Sequence, residues 1–278
     1  MRAPGQALFI VLLVAFAAAN PAKAEPPLNP LVSFTYDPPV SAGLKRIHDK
    51  LKSRKVLEQL SRFLSPLNLP RPLKISTREC GALTKVYTRA DGVVIFYEFV
   101  ARIEQAAAAA ATGKTKKQKA KSRRQHIAGA FAQSTLYRVA LGLLDELDVP
   151  VWGRYTDAAD RLAALSMLQF GTRVAQVTLN GAIGFYRDSK KTWTGSDFAE
   201  VRSPAHQRMY NYMCMAYGKY PDVFAKIGDE LGERIDFDGC KYEYEKAVSA
   251  YRSTILPFVD ESKLPAVVGM TVFKAEDF

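Results

Sequence analysis

The stretch that most constrains this chain is residues 127–168, IAGAFAQSTLYRVALGLLDELDVPVWGRYTDAADRLAALSML. Leu136, Val139, Leu143 and Leu147 recur at helical spacing, so a helix here buries one face against a core. Pro150 stops that helix, because its ring clashes with the preceding turn and it has no N–H to give. Gly153 permits a corner, and Asp157 can accept hydrogen bonds from the free N–H groups that open a second helix. Ala158, Ala159, Ala163 and Ala164 leave that second helix narrow enough to lie close to its neighbour. The rest of the chain has to cover this pair.

Before it, residues 1–24 read as a secretory leader: Arg2, an apolar run from Ala7 to Ala19, then Ala22-Lys23-Ala24 as a cleavage site. The run is shorter than the roughly 20 residues that span a bilayer. The expectation is a secreted, periplasmic protein cleaved near Ala24. Residues 25–42 contain five prolines and read as an extended N-terminal arm. Leu44, Ile47, Leu51, Leu57, Leu60 and Leu64 give a helical spacing that Pro66 and Pro70 end.

Residues 72–77, 84–89 and 93–100, with Asp91-Gly92 as a turn, predict a small antiparallel sheet whose third strand runs into a helix through Glu104. Further helices are predicted near 170–187, 206–217, 220–230 and 241–257. The fold class is α+β, mostly helical, with one domain over 43–258 and a weakly patterned tail at 259–278.

Charge is concentrated in one place. The chain carries 39 Lys and Arg against 28 Asp and Glu. Within 113–124, Lys114, Lys116, Lys117, Lys119, Lys121, Arg123 and Arg124 occur with no acid. This segment and the preceding run Ala106–Ala111 read as an insertion, dispensable for folding, with 112–124 a solvated loop, since dense like charge disfavours an ordered continuation. As a partner site, its cations suit an anionic membrane or cell-surface polymer. Nucleic acid is not expected, because no aromatic residues interleave to stack on bases. Gly113-Lys114-Thr115 lacks the first glycine and the leading strand of a phosphate loop, and no Ser-His-Asp or Cys-His set can be assembled from the sequence.

The phrase LLDELDVPVWGRYTDAADRLAAL resembles the core of a family of secreted bacterial proteins described as putative zinc metallopeptidases. The likeness extends to ECGALTKVY (79–87), VIFYEF (94–99) and HQRMYNYMCMAYG (206–218), and covers most of residues 45–258. It implies a small sheet on a helical, zincin-like core. In that family the first helix carries His-Glu-x-x-His, whose two imidazoles share one helix face to hold zinc while the glutamate takes a proton from the metal-bound water.

Superposing the Leu-Leu-Asp phrase on Leu143-Leu144-Asp145 puts those five positions on Tyr137, Arg138, Val139, Ala140 and Leu141. Both histidines are gone, and the base position holds Arg138. The acidic pair of the second helix falls on Tyr155 and Thr156, and a histidine upstream of the later helix falls on Arg202. Arg154, Asp157, Asp160, Arg208 and Tyr210 match the family. In gluzincin-type enzymes an aspartate placed like Asp160 orients a zinc-bound histidine; from the residues alone, Asp157 and Asp160 with Arg154 and Arg161 read as caps and ion pairs at the corner. Asp145, Glu146 and Asp148, at the negative end of the first helix, each need a basic or N–H partner.

Three cysteines in an exported chain suggest one disulfide and one cysteine outside it. The resemblance implies Cys214 with Cys240, and leaves Cys80 over because its family partner falls on Phe96. Zinc belongs to the family but is not expected here, nor is any other cofactor. The reading is a metallopeptidase scaffold without catalytic residues, acting as a non-catalytic binding or regulatory protein toward a protein or peptide ligand. The alternative is an active hydrolase with a non-standard site.

Overall fold

The computed structural model describes residues 25–81, 87–88, 90–111, 113, 115–169, 171–172, 175–176, 179, 181–183, 194–225, 237–267 and 270. The expected leader and Lys114 lie outside them, as do parts of the helices expected at 170–187 and 220–230.

Strand β1 (Val32–Tyr36) is followed by α1 (Ala42–Ser53), α2 (Val56–Phe63), β2 (Leu73–Arg78), β3 (Tyr87–Thr88), β4 (Gly92–Phe96) and α3 (Tyr97–Ala109). The sheet order is β1-β2-β4-β3, with β1, β2 and β4 parallel and only the two-residue β3 antiparallel to β4. The antiparallel expectation is therefore corrected. It failed because β4 pairs directly with β2, leaving the two-residue β3 at the edge, and because β1, inside the stretch read as an arm, joins β2 in parallel through the α1–α2 crossover. The Asp91-Gly92 turn does exist: Gly92 has φ +69, and a Cβ there would collide with the Lys74 carbonyl.

Asn29 pins the proline-rich stretch to the core. It is 2% exposed, its amide donates to Leu64 O and Leu67 O at 2.7 and 2.9 Å, and its side-chain oxygen accepts from the Leu31 N–H. One predicted helix over 44–64 is in fact two, broken where Lys55 takes a left-handed conformation at φ 52.

The central helix α4 (Lys116–Glu146) and α5 (Tyr155–Leu168) are the predicted pair. Leu136, Val139, Leu143 and Leu147 are all buried, but so is nearly every residue from Ile127 to Glu146. From Ile127 onward the helix is enclosed, with β4, β3 and α3 on one flank and α5 on the other. By length and composition its apolar window could cross a membrane; here the whole window is buried inside the protein. The corner is made by Asp148, left-handed at φ 48, with the Val149 N–H bonded back to Leu144 O.

The solvated-loop reading of 112–124 differs from the structure, since helix α4 already begins at Lys116. Thr115 caps it in a capping box with Gln118, and those local bonds overcome the repulsion among the lysines. Ala106–Ala109 is the last turn of α3, with Ala107 buried, so the alanine run is part of the fold. After α5 come α6 (Gly195–Ala199), α7 (Ala205–Lys219), α8 (Pro221–Phe224) and α9 (Phe237–Thr254). Two 3-10 turns and α10 (Leu264–Val267) follow, so the stretch read as a tail continues the fold. Helix α5 packs on α7, and α7 on α9.

Cys214 and Cys240 are bonded, as the resemblance implied, and Cys80 stands outside the disulfide. Beside the bridge, a Cβ on Gly218 would lie 2.8 Å from Cys240 O, so only glycine permits α7 and α9 this approach. Cys80 lies next to the position of Phe96: Arg78 pairs with Phe96 in the sheet, and the Cys80 N–H bonds the Glu98 carboxylate at 2.9 and 3.0 Å.

Candidate functional site

The five positions that stand where the family motif would be form the middle of α4, facing α7 on one side and α3 on the other. Tyr137 is 3% exposed, and its ring has the Arg208 guanidinium 4.7 Å away and that of Arg202 5.3 Å away. Its hydroxyl is buried with no hydrogen-bond partner among the described residues. Arg138, one residue on, turns toward α3: its guanidinium lies 4.4 Å from the Phe99 ring centroid and donates to Ser134 O at 2.8 Å and to the Ser134 hydroxyl. Leu141 is 9% exposed, and its carbonyl accepts from the Tyr155 hydroxyl at 3.0 Å.

Asp160 is the best-satisfied carboxylate of the site. Arg208 Nε donates to its Oδ2 at 2.6 Å and Nη2 to Oδ1 at 2.7 Å, and the Tyr212 hydroxyl reaches Oδ1 at 3.2 Å. Gln133 Nε2 donates to Tyr212 Oη at 3.1 Å and lies 3.5 Å from Asp160 Oδ1. Burial pushes the Asp160 carboxyl up, against the opposing pull of Arg208.

The sequence reading of the corner is corrected here. Helix α5 starts at Tyr155, so Asp157 sits in its first turn rather than at its cap, and it accepts from the Ser203 hydroxyl at 2.8 Å. Arg154 donates to Phe198 O at 2.7 Å and to Ser203 Oγ at 3.3 Å, while Arg161 pairs with Glu243 at 2.7 Å. Thr156 Oγ1 donates to Val201 O at 2.9 Å. Tyr155, Thr156 and Arg154 thus tie the start of α5 to α4 and to the 198–203 segment. Tyr210 is half-buried against the core.

Of the acids at the end of α4, Glu146 finds the basic partner expected, whereas Asp145 meets a phenol instead. Arg71 Nε donates to Glu146 at 2.6 Å, and the Tyr87 hydroxyl donates to both Asp145 and Glu146 at 2.9 and 3.0 Å. Burial, followed by those two carboxylates, raises the Tyr87 pKa.

Gln133, Tyr212, Ser203 and Phe99 were missed from sequence. Gln133 did carry a signal, as a polar residue inside an otherwise apolar helix run. The others carried none. Among the described residues, no group of three or more His, Cys, Asp or Glu side chains is placed to hold a metal ion.

A family model described as "Putative metallopeptidase" matches residues 36–255. The chain belongs to that family. The match begins at Tyr36, the last residue of β1, and so reaches further toward the N-terminus than residue 45. No curated protein and no solved structure matches the chain.

One surface feature borders these family positions. Trp152, Phe198 and Val201 are 99%, 57% and 78% exposed. The chain joins all three to the site: Trp152 stands two residues before Arg154, Arg154 bonds Phe198 O, and Thr156 bonds Val201 O.

Proposed function

We propose that this chain is a non-catalytic member of its family that binds a protein or peptide ligand across the corner between α4 and α5. The exposed set Trp152, Phe198 and Val201 beside the family positions is the observation that carries this reading. A zincin-like arrangement of α4 and α5 fits the family membership. Zinc does not fit the side chains at 137–141. The available donor is one phenol, and a dication beside it would face the two guanidiniums already stacked on the Tyr137 ring. Asp160, which would steady a ligand histidine, is instead bound to Arg208. Export of the chain, with cleavage near Ala24, remains part of this proposal, and the disulfide agrees with it.

Protein purified without chelator is expected to hold well under one zinc per chain by elemental analysis. Near-stoichiometric zinc, lost on chelation together with peptidase activity, would overturn the reading in favour of an active hydrolase with a non-standard site.

A second reading rests on the start of α4. Lys116, Lys117, Lys119, Lys121, Arg123 and Arg124 are all exposed on ordered helix, with no acid in its first turn. This face suits an anionic membrane or polymer, with an attraction that salt weakens over about 8 Å. Replacing the six cations by glutamine should abolish salt-sensitive binding to phosphatidylserine vesicles. Unchanged binding would discard the idea.

A further inference from the structure

On a different face of α4 from Tyr137, Leu143 helps to line a cavity of about 410 Å³. That volume lies within the range of small-molecule sites, roughly 300–1,000 Å³. Its walls come from the end of α2, from α5, from α9 and from the C-terminal turns, and they are mostly aliphatic, with Leu162, Leu165, Val248 and Ile255 among them.

The polar groups in the wall are few, and the charged ones among the described residues are basic. Ser166 donates its hydroxyl to Leu162 O at 2.8 Å, and Gln169 donates one amide N–H to Leu165 O at 3.1 Å, each within its own helix. Two cations, the half-buried Lys219 and the exposed Arg252, and two phenols, Tyr244 and Tyr251, also line the cavity, and among the described residues no carboxylate does. Lys219 forms no ion pair among the described residues; it lies 5.6 Å from the Tyr220 ring centroid, and burial pushes its amine down from the usual lysine range. Such a half-buried amine, facing an apolar chamber without a carboxylate, is short of an anion.

We propose that this cavity binds a single long-chain carboxylate, with its alkyl chain among Leu162, Leu165, Val248 and Ile255 and its head group at Lys219 and Arg252. The charge complementarity selects this occupant over a neutral chain or an apolar peptide. A neutral chain would leave the half-buried Lys219 amine without an anion, and an apolar peptide would bring only uncharged amide groups that do not answer it either. The proposal is independent of whether the family positions on α4 and α5 are catalytic.

The test is calorimetric titration of the full chain with dodecanoate below its micelle concentration, alongside dodecanol and shorter carboxylates. The expected result is saturable one-to-one binding of dodecanoate, weakened by up to about fourfold for each methylene removed. Lys219→Gln should weaken dodecanoate by about tenfold or more, the scale of one charge-assisted hydrogen bond, while changing dodecanol by no more than about twofold. Leu165→Trp, which fills the chamber, should abolish both, and a matching thermal transition would show that it still folds. No saturable dodecanoate binding, equal affinity for dodecanol, or indifference to Lys219→Gln would each overturn the proposal.

Discussion

Asp160 and Glu104 are both buried carboxylates, 1% and 7% exposed, and each is met by cations, yet the two sites work in opposite ways. Asp160 lies between α5 and α7, and the side chain of its partner Arg208 is itself only 7% exposed. Glu104, on α3, is reached from α1 by Arg46 and Lys50, whose side chains are 63% and 27% exposed. Burial pushes both carboxyls up. At Glu104 the hydrogen bond from Arg46, with the fields of Lys50 and Arg46, more than offsets it and leaves the group below the usual carboxylate range. At Asp160 burial wins.

The difference lies in where the cation sits. Arg46 keeps most of its guanidinium in water and gives up little solvation to reach Glu104. Arg208 gives up nearly all of its own, and the pair is held by geometry: two parallel hydrogen bonds, with the Tyr212 hydroxyl, itself held by Gln133, also donating to Oδ1. A pair of the second kind fixes how three helices meet, and its loss is expensive because the survivor is left charged and dry.

The largest expected effect tests that statement directly. Arg208→Ala should lower unfolding stability at pH 7 by about 3–5 kcal/mol, measured by urea denaturation. Asp160→Leu combined with Arg208→Met should recover most of the loss, since replacing both partners by apolar groups removes the stranded charge. A single variant costing under about 1 kcal/mol, the range of exposed pairs, would erase the contrast with Glu104.

A smaller effect should come from Glu104→Gln, about 1–3 kcal/mol at pH 7. Because the folded pKa of Glu104 is depressed, its contribution is present in full above the unfolded value of about 4.3. It is lost as pH falls through the lower folded value. Parent and variant should therefore converge in acid, with a gap that closes below about pH 4. A gap that stays constant down to pH 2 would show that packing, not charge, separates them.

The Asp160 site also shows how far reading along the chain could go. The spacing of apolar residues found α4 and its corner with α5, and the Leu-Leu-Asp-to-Val-Pro phrase placed Tyr137, Arg138 and Leu141 at the family positions. It could not find the partner of Asp160, which lies 48 residues away on α7. Arg154 and Arg161, close by in sequence, looked better placed and in fact serve Phe198, Ser203 and Glu243. The end of α4 was more legible, because its dipole requires partners for Asp145 and Glu146 whatever their identity.

The sequence by itself determined the helices that have a strong period, the turn at Asp91-Gly92, the strand that runs into α3 and the identity of the side chains at 137–141. These are consequences of residues within one or two turns of each other, where spacing, backbone preference and capping act locally. Only the tertiary structure decided that β1 joins the sheet in parallel, that the lysine-rich segment begins α4, that Arg202 and Arg208 both lie over the Tyr137 ring, and that an aliphatic chamber opens onto Lys219. Each of these depends on which surfaces meet after the chain has folded back. Burial sets the strength of a charge or an orphan hydroxyl, and burial is a property of neighbours that the local sequence does not name.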